Sequence, residues 1–214
     1  MKMSWRLASR FSVITLALLV VVIVALWGLR TNSGSGSANT TPSTSQSGLQ
    51  GTDMGSTPAP DFHLTDQFGK PISLSQFRGE PVVLTFMYTH CPDICPLTAE
   101  KLHAVQLELG SSAAHIVMLA VSIDPKRDTQ AAALHFSQVH KLTTGWHYLI
   151  GNHDDLSPVW NAYSVYTQPT TSSSTITHTN ALYLIDKQGR ERVFFADDFA
   201  NEQLTSDLKI LLAE

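Results

Sequence analysis

Cysteine is almost absent from these 214 residues: there are two, Cys91 and Cys95, four positions apart. So few thiols exclude a disulfide-stapled scaffold and a four-cysteine zinc site. Charge is sparse as well, at 15% of residues with a net formal charge of −4, and Lys and Arg nowhere cluster. A chain without a basic patch has no electrostatic footprint for nucleic acid. No internal repeat is present, and the 43% hydrophobic content is that of an ordinary folded domain with additions.

The longest run that is both uncharged and apolar covers residues 11–29, FSVITLALLVVVIVALWGL. At about 1.5 Å per residue it matches a hydrocarbon core of about 30 Å. Lys2, Arg6 and Arg10 precede it and only Arg30 follows closely. The bias predicts a cytoplasmic N-terminus over 1–10, a single-pass anchor in the cell membrane, and a remainder on the outer (periplasmic or extracellular) face. A cleaved signal peptide shares the basic start, but its apolar core is normally about 7–15 residues. Residues 30–58 are rich in Ser, Thr and Gly and carry little apolar surface to offset ordering entropy. They read as a flexible linker, with the folded domain over 59–214.

Within that domain, DFHLTDQFGKPISL predicts a hairpin around Gly-Lys-Pro, and PVVLTFMY a buried strand. Helical spacing of Leu97, Leu102, Val105 and Leu109 follows Cys95 and stops at Gly110. A second strand covers 115–124, a helix 129–140 with Asp128 as its cap, a third strand WHYLI, and a helix 154–163. ALYLID and ERVFFA predict a last hairpin, and residues 201–212 a terminal helix. Strands alternating with helices argue for an α/β domain with a mostly parallel sheet covered on both faces. The order resembles a thioredoxin-like fold with an N-terminal β-hairpin extension.

The cysteines fall where the first buried strand hands over to its helix, the carboxyl end at which α/β sheets keep reactive groups. Four chemistries compete for them. A structural disulfide closing so short a loop stabilises little. Peroxide reduction wants an arginine, and none is close to Cys91 in sequence. Thiol–disulfide exchange gains from a helix N-terminus, but three residues separate the thiols rather than the usual two, and Asp93 among them should oppose thiolate formation. Metal binding fits the spacing best, with thiolates selecting a soft ion such as Cu(I). An imidazole would complete such a site. Of nine histidines, His178 draws interest because it lies in a polar Ser/Thr loop running into a buried strand, and His90 because it adjoins Cys91.

Three collinear blocks, 61–96 ending in CPDICP, VSIDPKRDT at 121–129 and HTNALYLIDKQGR at 178–190, give the chain its resemblance to the Sco/SenC proteins, membrane-tethered copper chaperones for cytochrome c oxidase. The resemblance implies that Cys91, Cys95 and His178 are the copper ligands, for Cu(I) with Cu(II) as the alternative state. It also implies that the two cysteines form a redox-active pair and that Asp93 and Asp124 lie in the surrounding shell. Family members often carry an acidic residue just before the ligand histidine, where this chain has Thr177. The implied role is copper delivery to the copper-site subunit of the oxidase, by ligand exchange rather than catalysis, with other copper chaperones or thiol reductants as further partners. Two alternatives use the same residues: a thiol–disulfide oxidoreductase that keeps the oxidase's copper-site cysteines reduced, and a copper or redox sensor.

Overall fold

The uncharged run after Pro81 becomes the centre of the sheet in a computed structural model of the protein, which describes residues 48–169, 176–196 and 198–214. The chain divides into two units, Met1–Ser43 and Thr44–Glu214. The first, with the anchor expected over 11–29, lies outside the described residues. Among the described residues, no helix is long and apolar enough to cross a membrane.

In chain order the elements are β1 (Thr52–Pro58), β2 (His63–Asp66), β3 (Pro71–Ser73), β4 (Val82–Met87), α1 (Ile94–Leu109), β5 (Val117–Ser122), α2 (Gln130–Val139) and β6 (Trp146–Ile150). Then follow α3 (His153–Ala162), β7 (Thr167–Pro169), β8 (Ile176–His178), β9 (Leu182–Ile185), β10 (Arg190–Phe195) and α4 (Asn201–Ala213). One sheet has the order β1-β10-β9-β4-β5-β6-β2-β3, and β7 with β8 forms a separate two-stranded ribbon. Every residue of β4 and β5 is buried, as strands covered on both faces must be. Helix α1 packs against α4, α2 against β6 and α3 against β2.

Three expectations need correction. The sheet is mixed rather than mostly parallel: only β4–β5 and β5–β6 run parallel, and the other neighbours are antiparallel. Helical crossovers join only those two parallel pairs, while hairpins and returning strands supply the rest. The flexible linker expected to reach residue 58 ends earlier. Leu49 is buried and β1 pairs with β10, with a bulge between Asp53 and Thr57. The third correction concerns the polar loop before β9. Its two ends form the β7–β8 ribbon, with Thr167 opposite His178, so the histidine lies on a strand.

Both predicted hairpins form, β2–β3 with Leu64 opposite Ile72 and β9–β10 with Phe194 opposite Tyr183. Helix α1 ends at Gly110 with φ +57°, the left-handed conformation that glycine adopts without strain. A tighter constraint applies at Gly145, where φ is +65° and an added Cβ would lie 2.4 Å from the Ile116 carbonyl oxygen.

Candidate metal and redox centre

Strand β4 delivers the chain to Tyr88, and a turn closed by the Cys91 amide donating to the Tyr88 carbonyl (3.2 Å) leads into α1. Asp93 occupies the N-cap position, yet its side chain caps nothing. Sulfur fills the role instead: the Cys95 amide donates to the Cys91 Sγ at 3.4 Å. One of the first-turn N–H groups that a helix leaves without an intrahelical partner is thus satisfied by a thiol.

The two thiols are free and buried. A hydrogen bond from the Cys95 side chain is the largest influence on Cys91 and lowers its pKa to about 5; burial opposes this, and the Asp93 and Cys95 amides and the Tyr88 side chain reinforce it. The same contact, with burial, pushes Cys95 strongly upward. The pair is therefore a thiolate accepting from a thiol. Asp93 does not suppress the thiolate as its charge suggested. Its side chain is exposed, and its backbone amide donates to the sulfur.

His178 is half-buried on β8, and its Nδ1 pairs with the Thr179 carbonyl oxygen at 3.1 Å. With the proton on Nδ1, Nε2 carries the lone pair, the tautomer suited to a ligating imidazole. A backbone carbonyl thus orients the ring, and no acidic side chain at 177 is needed. The ring meets Tyr88 edge-on, with centroids 6.1 Å apart. Tyr88 is 1% exposed; its hydroxyl oxygen accepts the Ile176 amide at 3.2 Å, and the hydroxyl bonds the Cys91 sulfur.

Asp124 pairs with Arg127, whose guanidinium lies over the Tyr88 ring at 5.7 Å from its centroid. Asp124 therefore reaches the site through two intermediaries. Asp128 is closer, and it is not the helix cap the sequence suggested. Thr129 caps α2, accepting the Ala132 amide at 3.2 Å. Asp128, 4% exposed, turns inward and accepts from the Thr89 amide (2.9 Å), the Thr89 hydroxyl (2.7 Å), Ser122 Oγ (2.6 Å) and the Tyr148 hydroxyl (3.1 Å). Burial nonetheless pushes its carboxyl upward. Sequence reasoning missed Asp128 and Tyr88 as parts of the site, and the only signal for either was adjacency to motif residues.

His90 is exposed, its Nδ1 2.9 Å from Thr89 Oγ1, and lines a groove of about 340 Å³ with His135, Phe136 and His140. Among the described residues, no three His, Cys, Asp or Glu side chains gather at metal-ligand spacing. The structure brings Cys91 and Cys95 together and sets His178 beside Tyr88; it does not assemble a closed three-ligand cage.

Comparison with known proteins agrees on one family. Residues 51–213 match the SCO1/SenC family model. The chain is 33% identical over 156 residues to the mitochondrial SCO2 homolog of Bos taurus, an alignment spanning 70% of this chain but 58% of that protein's length. Among solved structures, Bradyrhizobium japonicum ScoI with copper bound superposes with a TM-score of 0.66 at 31% identity, over 73% of this chain and 100% of that one. Apo Sco1 from Thermus thermophilus superposes with a TM-score of 0.68 at 27% identity, over 77% of this chain and 97% of that one. The thioredoxin-like α/β fold is thereby established.

Proposed function

The chain belongs to the SCO1/SenC family, and from that membership and the dithiol geometry we propose that it is a copper metallochaperone serving the dinuclear copper site of cytochrome c oxidase. The observation that carries the reading is the Cys91–Cys95 pair: a thiolate and a thiol in hydrogen-bond contact at a helix N-terminus. Two sulfurs and an imidazole are the donor set that soft Cu(I) selects. Cys91 and Cys95 take the ion as thiolates, and His178, brought by the β7–β8 ribbon, is the third ligand. Ligands that are not caged suit a carrier. The thiolates of the oxidase's copper-site subunit displace them one at a time, and another copper chaperone supplies the ion. Residues 11–29 hold the domain at the outer face of the membrane.

A second reading has its own support. A thiolate beside a protonated thiol is the arrangement of attacking and resolving cysteines. Cys91 attacks one sulfur of a partner disulfide, and the partner's other sulfur leaves as a thiolate. Cys95 then displaces the partner from the mixed disulfide, which leaves the partner as a dithiol and this chain oxidised. His178 separates the two readings, because exchange does not need it.

An anaerobic Cu(I) titration of the reduced, full-length protein tests the proposal beside Cys91→Ser and His178→Ala. One ion per chain, lost in Cys91→Ser and weakened about tenfold or more in His178→Ala, supports copper delivery. Binding indifferent to His178→Ala removes the histidine from the ligand set. No retained copper, with rapid reduction of a disulfide substrate, moves the function to thiol–disulfide exchange.

A further inference from the structure

We infer that the Tyr88 hydroxyl is the tie that positions the histidine-bearing ribbon over the dithiol, making Tyr88 a positioning residue for the site. Its consequence for copper rests on the proposed function; the tie itself does not.

Four contacts converge on this one side chain. Tyr88 stands at the exit of β4, three residues before Cys91, and is almost wholly buried. Its hydroxyl oxygen accepts the amide of Ile176, the first residue of β8, at 3.2 Å. The same hydroxyl also lies within interaction reach of the Cys91 sulfur. A phenol has one proton and two lone pairs, so it can accept from the ribbon while donating to the thiolate. The ring then packs edge-on against His178, two residues along the same strand. Residues i and i+2 of a strand share a face, so fixing the amide of Ile176 fixes the register in which His178 is presented. On its other flank the ring carries the Arg127 guanidinium, itself held by Asp124.

The ribbon needs such a fixture. Among the described residues, β7 and β8 pair only with each other, over three residues each, and belong to no larger sheet. A two-stranded ribbon of that length is not stable alone. Among the described residues, the Ile176–Tyr88 hydrogen bond ties the histidine strand to the end of β4.

The phenylalanine variant isolates the hydroxyl. Tyr88→Phe keeps the ring, and with it the His178 and Arg127 contacts, but has no oxygen for Ile176 and no proton for Cys91. Amide hydrogen exchange on the metal-free, full-length protein should show the Ile176 amide exchanging about tenfold faster in Tyr88→Phe, with the β4 amides unchanged as the control for folding. In the copper arm, Cu(I) affinity should fall about five- to tenfold. Adding His178→Ala to Tyr88→Phe should then cost less affinity than His178→Ala alone, since the two act through one arm. A merely structural tyrosine would give additive losses. Unchanged Ile176 exchange overturns the tie, and faster exchange with unchanged affinity or strict additivity overturns its positioning role. If the parent protein binds no Cu(I), the delivery reading fails, and the exchange comparison still decides the tie.

Discussion

Asp128 and Thr89 are joined twice, the carboxylate accepting both the backbone amide and the hydroxyl of a residue two positions before Cys91. The end of β5, through Ser122, and the middle of β6, through Tyr148, reach the same carboxylate. The start of the cysteine turn is therefore fixed from inside the domain. Asp128→Ala should destabilise the fold by about 2–4 kcal/mol, because it strands several buried donors at once. Chemical denaturation measures this. A looser turn also aims fewer donors at Cys91, so thiol reactivity near neutral pH should fall in the same variant.

The Cys91 sulfur titrates far below an ordinary thiol, at about 5, because Cys95 and two backbone amides favour its anion. Alkylation of the reduced protein should climb about tenfold per pH unit below that midpoint and level off above it, modifying Cys91 first. Since the folded value is depressed, the stability this group contributes is present in full above the pKa of the unfolded thiol. It declines as pH falls toward about 5. Raised Cys95 acts in the opposite sense at alkaline pH, where it should remain unmodified. Peptide mapping after a pH series of brief iodoacetamide pulses checks both.

The chain enters the described domain through a clamp. Fully buried Asp207 on α4 accepts the Gln50 amide at 2.7 Å and the Gly51 amide at 3.1 Å. Asp207→Ala should lower stability by about 1–3 kcal/mol and speed exchange at those two amides, while Cu(I) affinity stays as in the parent.

Gly145 admits no side chain. Alanine there combines a left-handed backbone with a Cβ 2.4 Å from the Ile116 carbonyl oxygen, a backbone atom that cannot swing aside. Gly145→Ala should cost about 2 kcal/mol or more, read from the thermal midpoint.

What the sequence disclosed was local. A charge-free run gave β4, glycine stopped α1 at Gly110, and the hairpins followed from alternation around turn residues. The placement of the cysteines at the strand-to-helix junction needed nothing more. β1 escaped because an edge strand of mostly exposed residues has no apolar period to read; backbone pairing to β10 makes it. The β7–β8 ribbon escaped for the same reason, its polar composition being that of a loop. Asp128 resembled a cap because a helix begins just after it, but Thr129 meets that need and frees the carboxylate to turn inward. The hydroxyl of Tyr88 finds its partner 88 residues away in the chain, a relation no local pattern encodes.

The strand that escaped notice also governs how copies of the molecule meet. β1 borders the sheet on one side, bulged between Asp53 and Thr57 and closed by Pro58; β3 borders it on the other, three residues long and opened by Pro71. A bulge twists the row of amides out of line, and proline removes a donor from it. Neither margin gives a second chain a flat template for strand addition. Among the described residues, both margins of the sheet thus lack the flat, unbroken row of donors onto which the strand of a second copy would add.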